Sequence, residues 1–235
     1  MRKLVLPGGV SVEYELSRKR VKNINLRIGA DGRIAVSAPR AVPLTYIEAF
    51  MRSNEEKILK ALREASLRAP APEYCEGDSV PVLGRGYSLK VLKGSRNRAE
   101  IHGEELWLYV KDPEDAALRK KTAEAFYKSL CAAYMPRICA GLLPGFSAYL
   151  AEMPEIRYRR MKSRWGSCTP KKKSVCFNSL LAMSPIECME FVAAHEFCHF
   201  IHADHSSSFY ASLAAVMPDW KARKEKLKAY SALIK

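Results

Sequence analysis

The chain has 235 residues, 48% of them apolar and 27% charged, which suffices for a packed core and excludes intrinsic disorder. With 39 lysines and arginines against 25 acids, the net charge is +14, a balance that favours anionic partners without specifying one. No stretch approaches the roughly 20 apolar residues of a membrane span, and the basic Met1-Arg2-Lys3 start lacks the apolar run of a secretory signal. The cysteine count of seven is odd, so a cytoplasmic protein with reduced thiols is expected.

Val10 to Leu16, Val21 to Ile28 and Arg33 to Ser37 alternate apolar and polar residues, and Asp31-Gly32 between the last two predicts a β-hairpin. From Leu44 to Leu67 the period becomes helical, with Ile47, Phe50, Met51, Ile58, Leu59 and Leu62 along one stripe. Ala69-Pro70-Ala71-Pro72 stops that helix, because proline lacks an amide hydrogen and restricts the residue before it. A boundary there divides the chain into a β-rich portion with a helix, 1–72, and a catalytic portion with preceding strands, 73–235.

Val80 to Val91 and Glu104 to Val110 read as strands, with turns at Gly84, Gly86, Gly94 and His102-Gly103. Asp112-Pro113-Glu114-Asp115 has the capping residue, first-turn proline and acids of a helix start. That helix is expected to pass Cys131, with a second helical stretch ending near Leu150. Ile156 to Met161 and Ser174 to Asn178 are strand candidates flanking a Gly-Ser-Cys-Thr-Pro loop. Helix is expected from Pro185 through His202, and again from Ser206 to Leu233 with a break at Met217-Pro218-Asp219. No internal repeat is visible, and the fold class is α+β.

The chemistry concentrates in His195-Glu196-Phe197-Cys198-His199, an H-E-x-x-H motif inside an apolar helix. Four residues advance a helix by about 400°, which sets His195 and His199 on one face where both can bind a zinc ion. Glu196 then stands beside the metal as a general base for its water. A catalytic zinc needs a third protein ligand, and His202 and His205 compete for that place. On a continuing helix His202 would lie about 10.5 Å from His195 along the axis, too far to share one ion. His205 follows Ala203-Asp204, where the chain can turn back, so reach favours His205.

The run Arg160-Met161-Lys162-Ser163-Arg164-Trp165-Gly166-Ser167-Cys168, followed by Phe177-Asn178, the H-E-x-x-H helix, Asp204-His205-Ser206 and Met217-Pro218-Asp219-Trp220, resembles the YgjP-like metal-dependent hydrolases, relatives of the SprT-like and WLM metallopeptidases. The resemblance extends to Arg18–Arg27 and Val82–Tyr87. It implies a zincin-like core with a small sheet packed on the H-E-x-x-H helix, His195, His199 and His205 on Zn2+, and Glu196 as base. Lys57 and Lys171-Lys172-Lys173 depart from the pattern of that family, which expects a tryptophan and a glycine-containing turn there.

Within Arg164–Cys168, Ser167 or Arg164 can face the cleft to hold an anion or polarise a carbonyl. Equally, Trp165 and Cys168 can pack beneath the helix with the arginines solvated. Arg164, Ser167 and Asn178 are the candidate substrate-binding residues. Residues 157–173 carry eight lysines and arginines and no acid, a run that is usually a solvated face but that can bind phosphate beside a metal.

Two reactions follow: a metallopeptidase using metal-activated water, or a pyrophosphatase-type hydrolase of nucleotide phosphoanhydrides using the basic run. The expected partners are a peptide or nucleotide substrate and an anionic molecule, with no membrane. A binding module with structural zinc is the weakest reading, because a closed site takes four protein ligands and has no use for Glu196.

Overall fold

The computed structural model describes residues 1–29, 32–66 and 73–234. Asp31 of the expected hairpin turn, Leu67 and the proline-containing stop at 69–72 lie outside the described residues. The chain forms two compact units, Met1–Pro70 and Ala71–Lys235.

The first unit contains β1 (Arg2–Val5), β2 (Ser11–Arg18), β3 (Asn25–Ile28) and β4 (Ile34–Ala38), in the order β1-β2-β4-β3. The outer pairs are antiparallel and the central β2–β4 pair is parallel. Alternation turns Val12, Tyr14, Ile34 and Val36 to one face, where they pack with Ile47, Met51 and Ile58. Those three come from two helices, α1 (Leu44–Ser53) and α2 (Glu55–Ser66), where the sequence suggests one. The interruption has a local cause. Ser53 Oγ and Asn54 Nδ2 both donate to the Phe50 carbonyl, at 2.9 and 2.8 Å, and so compete with the helical ladder.

The second unit opens with β5 (Ser79–Val82), β6 (Arg85–Lys93), β7 (Arg98–His102) and β8 (Glu105–Val110), in the order β5-β6-β8-β7. Again the outer pairs are antiparallel and the central β6–β8 pair is parallel. The two units therefore repeat one sheet topology that the residue pattern does not reveal. The sequence reading missed β7, a polar and largely exposed edge strand.

The inner face of this sheet, Leu89, Leu106, Leu108 and Val110, packs in a core with α3 (Ala116–Leu142). That helix starts later than Asp112. Asp115 is its cap, accepting a hydrogen bond from the Leu118 amide at 3.0 Å. It runs unbroken through Pro136, with Cys131, Met135 and Cys139 buried on both sides of the proline. Core packing along one stripe holds the helix together despite the missing amide donor.

Three strands form the small sheet β10-β11-β9: β9 (Glu155–Arg159), β10 (Gly166–Thr169) and β11 (Ser174–Asn178). The segment expected to be a Gly-Ser-Cys-Thr-Pro loop is thus largely a strand, antiparallel to β11 with Gly166 opposite Phe177. Next come α4 (Ile186–Cys198), α5 (Ser207–Val216) and α6 (Trp220–Lys228). Helix α4, which carries the H-E-x-x-H motif, is packed by α3, α5, α6 and β10. It ends at Cys198, four residues before the expected His202.

The start of α4 is gripped by the β5–β6 turn. The Leu83 and Gly84 amides donate to the carbonyls of Ala182 and Met183 at 2.8 and 3.1 Å. Gly84 has φ +83°, and a Cβ there would lie 2.5 Å from Pro185 Cγ, so glycine alone fits. Among the described residues, no helix is long and apolar enough to cross a membrane.

Candidate metal centre

Helix α4 is buried nearly all round, so its polar side chains demand an explanation. His195 and His199 share a face, with ring centroids 5.1 Å apart. The chain then leaves the helix through a turn, where Asp204 Oδ1 accepts from the Ser206 amide at 3.2 Å, and delivers His205 back over the same face. His205 Nε2 lies 3.0 Å from His195 Nε2, and one nitrogen from each of the three histidines falls within 4.8 Å of the others.

Orientation is fixed from outside the cluster. His199 Nδ1 donates to the His202 carbonyl at 3.0 Å, which leaves the Nε2 lone pair free. The His202 ring is held by Ser212 Oγ at 2.9 Å and takes no part in the cluster. Phe209 of α5, fully buried, forms a floor under the site, with its ring 5.0, 4.9 and 4.8 Å from those of His195, His199 and His205. The sequence reading missed this residue. Its only signal is its position four residues beyond His205, inside an apolar helix.

Burial first, then the neighbouring His199 and His205 and the charge of Lys224, push the protonation of His195 down to about 3. His205 is lowered by burial, His199 and Lys224, against the opposing pull of Asp204. Three imidazole nitrogens converging on one point are the donor set of a borderline divalent cation, which these residues therefore fit.

Glu196 is 5% exposed, and burial raises its carboxyl to about 7 against the opposing charge of Arg164. Strand β10 runs directly against it. A Cβ at Gly166 would lie 2.5 Å from Glu196 Oε1 and 2.7 Å from its Cγ. Gly166 therefore serves a close approach to the carboxyl within a strand, where the sequence suggests a tight turn.

These groups line a cleft of about 700 Å³. Arg164 and Ser167 line it, as do Trp165 and Cys168, which are also half-buried against the core. Both readings of this segment thus apply to different residues. Asn178 does not reach the cleft. Fully buried, it donates from Nδ2 to the carbonyls of Met161 and Arg164 at 2.7 and 3.0 Å and accepts from the Leu180 amide at 3.2 Å. With its amide fully engaged, it ties down the loop that carries Arg164 and is corrected from substrate binder to brace.

The basic run is likewise dispersed. Arg157 pairs with Glu155 at 2.7 Å, Arg160 with Glu124 at 3.3 Å, and Lys171–Lys173 are exposed around a 3-10 turn. Of the run's eight cations only Arg164 lines the cleft. Its remaining positive charge comes from Lys224 and Lys228 of α6, one turn apart, which the sequence reading passed over.

A family model described as "YgjP-like, metallopeptidase domain" matches residues 22–230. The metallopeptidase zymogen of Methanocaldococcus jannaschii jannalysin aligns at 19% identity and a TM-score of 0.35, over 40% of this chain and 93% of that one. No curated protein gives a match.

Proposed function

Since this chain belongs to the YgjP-like family and carries its metallopeptidase domain, we propose that it is a zinc-dependent peptidase acting through Glu196. Membership makes it a metal-dependent hydrolase. The observation that carries the finer reading is the convergence of His195, His199 and His205 beside a buried carboxyl that faces the same cleft. A zinc ion held by the three histidines would polarise the scissile carbonyl and acidify a water. Glu196 would take a proton from the water as its oxygen adds to the carbonyl carbon, and would pass it to the amine nitrogen as the C–N bond breaks. Gly166 gives the carboxyl room. Seven cysteines, four of them buried, support a reducing cytoplasmic setting.

The cations at the cleft favour a second reading, hydrolysis of nucleotide phosphoanhydrides by the same groups. To separate the two, zinc-loaded protein is incubated with unfolded peptides and nucleoside triphosphates, and products are followed by mass spectrometry against a Glu196→Gln blank. New peptide termini absent from the blank support the peptidase. Nucleoside mono- or diphosphates appearing instead, with intact peptides, would displace it.

A further inference from the structure

Arg164, Lys224 and Lys228 line the cleft, and Glu196 is the only acid among its lining residues. Lys228 has a partner, Glu225, at 2.5 Å. Arg164 and Lys224 have no carboxylate partner among the described residues. Lys224 is instead positioned over the rings of Tyr210 and Trp220, at 5.7 and 5.6 Å, and those rings stack on each other at 5.0 Å. Arg164 and Lys224 line the same cleft as His195, Glu196 and His205. Two cations without an ion-pair partner among the described residues thus share the cleft with the reacting centre, in a chain already at +14. Like charges lining a concave site concentrate anions there, and an ammonium held over an aromatic platform is positioned in advance for one.

We propose that Arg164 and Lys224 are specificity-determining residues that hold an oxyanion of the substrate beside the scissile bond. The substrates are then molecules bearing a carboxylate or phosphate next to the bond that is cut. This rests on the cleft being the hydrolytic site, and it holds for either bond. Hydrogen bonds to charged groups discriminate by about 10- to 100-fold.

The test uses full-length zinc-loaded protein and two arms. One compares peptide pools that differ only in Asp and Glu against Asn and Gln; the other supplies nucleoside triphosphates. Acidic peptides cleaved with kcat/KM at least about 10-fold above their neutral isosteres would assign the oxyanion to a carboxylate, and turnover confined to triphosphates would assign it to phosphate. In either case Lys224→Ala should raise KM about 10-fold with kcat, zinc content and melting temperature little changed. Lys224→Glu should shift any peptide preference toward lysine-bearing sequences. Inorganic sulfate should inhibit the wild type competitively and Lys224→Ala much less. Lys221→Ala, on the same helix outside the cleft, should behave as wild type. Equal cleavage of acidic and neutral peptides with an unaffected Lys224→Glu would overturn the subsite while leaving the hydrolase intact. No turnover in either arm, and no Lys224-dependent sulfate binding measured by calorimetry, would overturn both.

Discussion

Replacing Gly166 with alanine adds one methyl group where the structure has no space for it. The new Cβ would sit 2.5, 2.7 and 2.9 Å from Glu196 Oε1, Cγ and Cδ, about 1 Å inside ordinary contact. Neither partner yields cheaply. Gly166 is held in β10 by its pairing with Phe177, and Glu196 belongs to a helix packed on several sides. The carboxyl must therefore swing to another rotamer or β10 must lift, at about 1–3 kcal/mol of stability. A displacement of about 1 Å in a reacting group lowers turnover about 100-fold. The three atoms nearest the added methyl all belong to Glu196 and none to a histidine, so zinc should be retained. Gly141→Ala is the control: nothing lies within 4 Å of that Cβ in α3, and it should stabilise by about 0.5–1 kcal/mol with unchanged turnover. The assay is turnover of a cleaved substrate, with zinc content and denaturant midpoints measured in parallel. Turnover within about threefold of wild type in a folded, zinc-replete Gly166→Ala protein would refute the role assigned to this close approach.

Phe209→Ala should lower zinc affinity about 10- to 100-fold and stability by about 3–5 kcal/mol, since the ring is both core and floor to three imidazoles; zinc titration and chemical denaturation would check this, with Phe209→Leu expected to recover most of the stability. His205→Ala should weaken zinc binding far more than His202→Ala, whose backbone carbonyl would still orient His199; the opposite ranking in a competition with a chromogenic chelator would make His202 the ligand. Removing zinc with a chelator should lower the melting temperature, because an ion at about 1,000 times its dissociation constant stabilises by about 4 kcal/mol; an unshifted melting curve would contradict binding at this cluster.

The parts of the site that follow from helical period could be read from the sequence. The spacing of His195 and His199 sets both on one face, whereas the reach argument against His202 presumes a helix through that residue; α4 ends at Cys198, and Ser212 holds the His202 ring outside the cluster. What could not be read depends on tertiary pairing. Gly166–Thr169 has the composition of a turn and becomes a strand only because β11 offers it a partner. Asn178 looks like a cleft residue until the loop carbonyls that consume its amide are in place. The basic run is the densest in the chain, yet ion pairs with Glu155 and Glu124 draw two of its arginines elsewhere. Lys224 and Lys228, one turn apart, look like an ordinary solvated face, and only the fold of α6 brings them to the cleft.

The repeated sheet topology has a consequence for how the molecule can be altered. In each unit the turn of the first hairpin fastens the start of a helix: the Gly8 amide donates to Glu55, the first residue of α2, and the Leu83 and Gly84 amides hold the residues just ahead of α4. An insertion in the Leu83-Gly84 turn would slacken the metal-bearing helix without touching a ligand. The same insertion at Gly8 would loosen α2, a helix that carries none of the metal-centre residues.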